Sequence, residues 1–301
     1  MKVTGVFAPI ATNFDASGDL DLAAYAENAR KLGASRLAGL VVLGTNGEFV
    51  ALTGEEKLSL VRETRAVLPA GKTLIVGVGH ESTRATVAFT RAAAGEGADV
   101  ALLLNPTYHK RDLSPEALEK FFLDVAEASP VPVMIYNMPV NSGINIPSAL
   151  TIKLSAHPNI VGIKDSGANI VQIAEILAGT DGEFSVFAGS GSYLYATSML
   201  GGVGGTLAVA NVAPDFCADL HANCASGEAE KIAKARQMQM DLLPLNAAVT
   251  TRFGIGGLKA ALDCVGLRGG GPRLPILPAK EQDRREIASI LAELKGKYGY
   301  L

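Results

Sequence analysis

The sequence predicts an α/β fold, a (β/α)8 TIM barrel followed by a C-terminal helical extension. Three observations carry that expectation. Eight short apolar runs recur over residues 1–225, each followed by a stretch with helical spacing. The runs are continuous apolar blocks rather than alternating ones, the pattern of strands covered on both faces, as parallel strands are. After residue 225 the strand rhythm stops and only helical pattern remains. The expected organisation is a barrel domain over 1–225 and a three-helix extension over 226–301.

In chain order, "VTGVFAPI" (3–10) is the first strand. A helix follows, with Leu22, Tyr25, Ala26, Ala29 and Leu32 on one face. "GLVVLG" (39–44) is the second strand, and Thr53 with Glu56 three residues on forms a capping box for the next helix. "TLIVGVG" (73–79) precedes a helix beginning near Ser82. "DVALLLN" (99–105) precedes one opened by Ser114 as N-cap and Pro115 as first helical residue. "VPVMIYN" (131–137) leads to a helix from about Pro147. "IVGIKD" (160–165), "FSVFAG" (184–189) and "GGTLAV" (204–209) are strands six to eight. Residues 228–240, 253–266 and 282–297 read as the extension helices. A doubly wound sheet would usually carry a phosphate loop after its first strand, and "FAPIATNF" offers no glycine-rich cradle.

At 301 residues and 48% hydrophobic, the chain has ample material for one large core. A net charge of -3 gives no basic field for nucleic acid. No apolar run reaches membrane-spanning length, and the N-terminus resembles neither a signal nor a transit peptide, so a cytoplasmic protein with no membrane partner is expected. Cys217, Cys224 and Cys264 lack zinc-type spacing and read as buried free thiols of a reducing compartment. "GGVGG" (201–205) follows a helix and precedes a strand, the reverse of the dinucleotide fingerprint.

Active sites of these barrels lie at the C-terminal ends of the strands. Those ends carry "GTNGEF" (44–49), Gly79 with His80, "NPTYHK" (105–110), Tyr136 with Asn137, Lys164, "AGSGS" (188–192) and "AVAN" (208–211). No His, Asp and Glu cluster of metal-ligand character meets there. A lone lysine on an apolar strand has a known chemical use. Stripped of water, it yields a neutral amine that attacks a ketone and forms a Schiff base. The protonated imine is an electron sink, so a bond beside the former carbonyl carbon can break. A tyrosine with a hydroxyl neighbour can shuttle the protons. A turn such as "GTNGE" can present N–H groups to a carboxylate. The plainer reading is that Lys164 snorkels to the rim or pairs with Asp165. His80 and His109 read as loop-fixing residues, because the lysine–tyrosine scheme leaves no step for them.

"GTNGE", "YNMP", "GIKDSG" and "PLNAAVTTRFGIGGLKAAL" resemble the dihydrodipicolinate synthase / N-acetylneuraminate lyase family of class I aldolases, over about residues 3 to 298. The resemblance implies that Lys164 is the Schiff-base lysine and Tyr136 the general acid/base. It implies that Thr45 holds the keto-acid carboxylate and joins the proton relay, with Asn46 and Gly47 beside it. Many members carry a second Thr where this chain has Asn46. Tyr108 matches a tyrosine that reaches into a neighbouring subunit's site, which implies a homo-oligomer, a dimer of dimers. Thr206 matches the position whose backbone carbonyl faces the lysine. Dihydrodipicolinate synthases carry an arginine where this chain has Asn141, and a neutral amide does not replace a bidentate guanidinium.

Within the family, "GTNGEF", "HPNIVGIKDSG" and "NAAVTTRFGIGGLK" are most similar to 4-hydroxy-2-oxoglutarate aldolases, which yield pyruvate and glyoxylate. Ser166, Asn141 and Ser190 are then candidates for the distal end of the substrate. The resemblance implies no metal or organic cofactor. The alternatives are a dihydrodipicolinate synthase, a 2-keto-3-deoxy sugar acid aldolase or dehydratase, and a non-catalytic keto-acid-binding protein.

Overall fold

The structure is a computed structural model and describes residues 2–301. Eight parallel strands close in chain order into a barrel: β1 (Gly5–Pro9), β2 (Gly39–Val42), β3 (Thr73–Gly77), β4 (Val100–Leu104), β5 (Val133–Asn137), β6 (Ile160–Asp165), β7 (Ser185–Ala188) and β8 (Gly204–Thr206). Around it run α1 (Leu22–Gly33), α2 (Gly54–Val67), α3 (Thr83–Gly95), α4 (Pro115–Ala128), the one-turn α5 (Pro139–Ser142), α6 (Ser148–Leu154), α7 (Ile170–Gly179), α8 (Leu194–Met199) and α9 (Pro214–Ala225). Then come α10 (Ala229–Ala247), α11 (Gly254–Cys264) and α12 (Glu281–Tyr298). Among the described residues, no helix is long and apolar enough to cross a membrane.

Local chemistry sets the helix starts. Thr53 Oγ1 accepts from the Glu56 N–H at 3.2 Å while Glu56 Oε2 accepts from the Thr53 N–H at 2.8 Å, the reciprocal box. Ser82 and Ser114 cap α3 and α4 through the N–H groups of Ala85 and Ala117. The strands then sort their side chains by alternation. Phe7, Val41, Ile75, Leu102, Met134, Tyr136 and Phe187 fill the barrel interior. The opposite faces join the helices in a second, larger core. The interior is therefore packed, and open chemistry is confined to the mouth.

Three expectations are corrected. The eighth strand stops at Thr206, because Ala208–Asn211 coil into a 3-10 turn over the end of β1. Asn211 Nδ2 donates to the carbonyls of Pro9 and Ala208, both at 3.0 Å, and holds that turn. The first extension helix does not end near residue 240 but runs to Ala247 through Pro244. Buried Leu242 and Leu245 anchor its last turns, and a π turn over Ala248–Arg252 follows. Cys264 is exposed at the end of α11, whereas Cys217 and Cys224 are buried; all three are free.

Candidate active site

β5 and β6 place Tyr136 and Lys164 side by side, as lateral partners in the sheet. Tyr136 belongs to the interior cluster, so its partner faces inward too. Both are buried, Lys164 at 3% exposure and Tyr136 at 4%. The lysine Nζ lies 4.0 Å from the centroid of the phenol ring. From the turn after β2, Thr45 Oγ1 reaches the Tyr136 hydroxyl at 3.1 Å. An amine, a phenol and a second hydroxyl are thus joined at the mouth, the groups needed for nucleophilic attack with proton transfer.

Asp165 is not the partner of Lys164. One residue further along the strand, it faces away from the interior. Its carboxylate is fully buried and accepts from Asn137 Nδ2 and Gln172 Nε2, each at 2.9 Å, and from the Gly167 N–H at 2.8 Å. Asn145 extends this network, accepting from Asn137 at 2.9 Å. The Tyr193 hydroxyl donates to the Asp165 carbonyl at 2.9 Å, and burial, reinforced by the Asp165 charge, pushes that phenol up. The carboxylate thereby anchors the turn after the lysine from behind.

That turn carries Ser166, half-buried, its N–H donating to the Asn137 carbonyl at 2.8 Å. Gly189, after β7, donates its N–H to the Asp165 carbonyl at 2.8 Å, and a Cβ there would collide with Ser166 Oγ. The glycine of "AGSGS" makes room for the serine hydroxyl.

The turn holding Thr45 is a single 3-10 turn, Thr45–Gly47, closed by Glu48 in the left-handed region at φ 54. The N–H groups of Gly47 and Glu48 are spent inside the turn on the carbonyls of Gly44 and Thr45, both at 3.0 Å. The leading N–H groups, those of Thr45 and Asn46, are the ones such a turn leaves for a ligand. Gly47 instead anchors the turn through its carbonyl, which accepts from Thr12 Oγ1 at 2.7 Å.

The remaining sequence-derived residues have other neighbours or lie exposed. Ser190 Oγ accepts from the Ser192 N–H at 3.3 Å and from Asn246 Nδ2 at 3.2 Å, which ties it into its own loop. Asn141 is exposed on α5. Tyr108 is 81% exposed and packs edge-on against His109. Its loop is held by Glu81, whose carboxylate accepts from the N–H groups of Thr107 and Tyr108 and from Thr107 Oγ1. His80 bonds the Gly79 carbonyl at 2.7 Å and stacks on Phe89. Thr206 pairs laterally with Phe7 and so faces the interior.

Sequence reasoning missed the clamp behind the Thr45 turn. Lys259 on α11 meets Glu48 at 2.7 Å with both side chains essentially sealed from solvent. Burial pulls the Lys259 ammonium down, and the bond to Glu48 opposes that pull. The Arg273 N–H donates to Glu48 Oε2 at 2.8 Å, and its guanidinium forks onto Glu56 at 2.9 and 2.6 Å. Lys259 and Arg273 both lie over the Phe14 ring, at 4.6 and 4.3 Å from its centroid. The available signal was Lys259 itself, a charge inside the apolar run of "GGLKAAL".

The chain matches the model of the Dihydrodipicolinate synthetase family over residues 2–294. It is 35% identical to a protein named as a probable mitochondrial 4-hydroxy-2-oxoglutarate aldolase of Emericella nidulans, over 97% of this chain and 94% of that one. It is 34% identical to an L-threo-3-deoxy-hexylosonate aldolase of Hypocrea jecorina, over 95% and 93% of the two chains. A crystal structure of a dihydrodipicolinate synthase from Bacillus anthracis superposes with a TM-score of 0.90 at 30% identity, covering 97% of this chain and 99% of that one.

Proposed function

The chain belongs to the dihydrodipicolinate synthetase family of aldolases and lyases, and from that premise we propose that it cleaves 4-hydroxy-2-oxoglutarate to pyruvate and glyoxylate through a Schiff base on Lys164. The observation that carries the reading is the inward lysine beside Tyr136, with Thr45 bonded to the phenol.

In the proposed reaction, the Lys164 amine attacks the C2 carbonyl of the keto acid. Tyr136 shuttles the protons as the carbinolamine loses water and becomes an iminium. The N–H groups of Thr45 and Asn46 hold the C1 carboxylate. Tyr136, through Thr45 and a neighbouring subunit's copy of Tyr108, takes the proton of the C4 hydroxyl. The C3–C4 electron pair moves into the iminium, glyoxylate leaves, and an enamine remains. Protonation at C3 and hydrolysis release pyruvate and restore the free amine. Ser166, with Asn141 and Ser190 further out, faces the distal carboxylate in this scheme.

Asn141 supports the aldolase over a synthase that grips a second carboxylate with arginine. The Hypocrea relative favours one second reading, a 2-keto-3-deoxy sugar acid as substrate, on the same lysine chemistry. The exposed Tyr108 supports assembly into a homo-oligomer, proposed as a dimer of dimers.

Borohydride with pyruvate tests the reading. A stable reduced adduct on Lys164, found by mass spectrometry, is the expected result, and an intact protein without that mass overturns it. Pyruvate release from 4-hydroxy-2-oxoglutarate, 2-keto-3-deoxygluconate and N-acetylneuraminate then ranks the substrates, with pyruvate plus aspartate semialdehyde run in the condensing direction.

A further inference from the structure

Tyr193 has no step in the proposed reaction, yet its hydroxyl is bound to the strand that carries the lysine. It ends the single 3-10 turn Gly191–Tyr193 that follows β7. From there it donates to the Asp165 carbonyl at 2.9 Å, between Lys164 and Ser166. Burial pushes this phenol up, with the Asp165 charge and the neighbouring Tyr136 phenol adding to it, while the N–H groups of Gly189 and Ala168 oppose the rise. Those two N–H groups therefore face the phenol oxygen. The Gly189 N–H also donates to the Asp165 carbonyl at 2.8 Å. Ala168 stands in the left-handed region at φ 56, where a residue with a Cβ is strained and stays only if its surroundings hold it. Tyr193 thus meets both ends of the tight turn 165–168, donating to its first carbonyl and facing its last N–H.

Other bonds fix the start of that turn without Tyr193. The Ser166 N–H donates to the Asn137 carbonyl at 2.8 Å, and the Gly167 N–H donates to Asp165 Oδ1 at 2.8 Å. They keep the end of β6, and with it Lys164, in place. The phenol is the side chain that spans to the far end of the turn. Its own turn is rooted in the C-terminal extension. Gln239 Nε2, on α10, donates to the Gly191 carbonyl at 2.8 Å, and Gln239 Oε1 accepts from the Tyr195 N–H at 2.9 Å. Gln239 is 4% exposed, so these bonds are shielded from water. The helix α10 therefore reaches the lysine-bearing strand end through Tyr193. Between the two points that the phenol meets lies Ser166, whose Oγ occupies the space that Gly189 leaves open.

We infer that Tyr193 is a positioning residue, which holds the 165–168 turn so that the Ser166 hydroxyl meets the distal end of a 2-keto acid. It sets the preference for what lies beyond C3 and leaves imine formation on Lys164 alone. The inference rests on the Schiff-base reading and on Ser166 as the distal contact. Its physical ground is that the two residues have separate anchors. Lys164 is fixed by strand pairing on both sides, with Tyr136 and Phe187 as lateral partners. Ser166 lies one residue beyond the end of the strand at Asp165, where the ladder stops and the bonds of the turn set its geometry.

The test is a double-mutant cycle on Tyr193→Phe and Ser166→Ala. The readouts are kcat/KM for 4-hydroxy-2-oxoglutarate and borohydride trapping of pyruvate, which has no carbon beyond C3. Tyr193→Phe keeps the ring and deletes both contacts of the hydroxyl. It is expected to lower kcat/KM about fivefold to tenfold, the scale of one hydrogen bond. Trapping should stay within twofold of the unsubstituted protein. Added to Ser166→Ala, Tyr193→Phe should cost little more, because the group it positions is already gone. Cleavage within twofold of the unsubstituted rate in Tyr193→Phe overturns the proposal. So do losses that multiply in the double variant, or trapping that falls as far as cleavage, the mark of a general structural defect. Absence of any pyruvate adduct in the unsubstituted protein overturns the Schiff-base reading itself. Trapping without cleavage of 4-hydroxy-2-oxoglutarate overturns the substrate reading, and unimpaired cleavage by Ser166→Ala removes the distal contact. Each of these three takes the proposal with it by a route that the Tyr193 results do not imitate.

Discussion

Tyr136 and Lys164 are lateral partners across β5 and β6, and the lysine nitrogen rests 4.0 Å from the centre of the tyrosine ring. The ring wall and the hydroxyl proposed to shuttle protons are therefore two parts of one side chain. Tyr136→Phe separates them, since it keeps the ring against the lysine and deletes the hydroxyl. Turnover is expected to fall by roughly 10²–10⁴-fold, the range of general acid–base catalysis. Pyruvate affinity, measured by titration, should change only a few-fold. An unchanged kcat would remove Tyr136 from the scheme.

Thr45 offers a second separation. Its Oγ1 lies 3.1 Å from the Tyr136 hydroxyl, while its backbone N–H leads the turn proposed to hold the carboxylate. Thr45→Val retains the N–H and loses the hydroxyl. The expected signature is a kcat reduced by about tenfold or more with KM little changed, and recovery in Thr45→Ser. A rise in KM alone would assign Thr45 to binding rather than to the relay.

The barrel was legible because its signals are local. Continuous apolar runs, capping residues such as Ser82 and Ser114, and the eightfold rhythm each depend on neighbours in sequence. Lys164, Tyr136 and Thr45 were legible because strand ends converge in any such barrel, so position along the chain gives position at the mouth. The clamp was not, because Glu48, Lys259 and Arg273 are far apart in the chain and meet only through packing. The destination of Asp165 was obscure for the same reason: its partners Asn137 and Gln172 lie on another strand and a later helix. The helix α10 runs past the expected end at 240 and through Pro244, since burial of Leu242 and Leu245 outweighs the hydrogen bond that proline removes.

The Glu48–Lys259 pair is a buried ion pair 2.7 Å long that holds the left-handed end of the Thr45 turn. Removing one member leaves the other charge uncompensated. Lys259→Met should destabilise the protein by about 3–5 kcal/mol, read from denaturant unfolding. Adding Glu48→Gln to it should recover part of the loss, because no bare charge then remains buried. If Lys259→Met unfolds like the unsubstituted protein, the pair does not hold the turn.

Glu56 gives the fold an acid dependence of known sign. Its bonds to Arg273 lower its pKa from 4.5 to about 2, against the opposing effect of burial and with help from the Thr53 N–H. The unfolded chain then binds a proton more readily than the folded one as pH falls below about 4.5. The stabilising contribution is complete above that pH and is lost progressively down to about 2. Glu56→Gln should lose roughly 1.5–3 kcal/mol at neutral pH and show a shallower decline between about pH 5 and pH 3 in urea unfolding. Parallel declines in the two proteins would show that Glu56 does not carry the acid sensitivity.

Tyr108 is held outward by Glu81, at 81% exposure, with its ring edge-on to His109. Burial raises the Glu81 carboxyl, but the N–H groups of Tyr108 and Thr107, the Thr107 hydroxyl and the His109 charge outweigh it and keep the carboxyl below its ordinary range. The anchor therefore stays ionised at neutral pH, and the loop stays presented. If Tyr108 completes a neighbour's site, Tyr108→Phe and Lys164→Ala should each be nearly inactive alone and active together. Random reassortment into isologous dimers leaves about one quarter of sites with an intact lysine and a partner's intact tyrosine. Recovery of activity towards that fraction after co-refolding, with size-exclusion chromatography to confirm the assembly, is the expected outcome. A mixture as inactive as its parts would confine Tyr108 to the site of its own subunit.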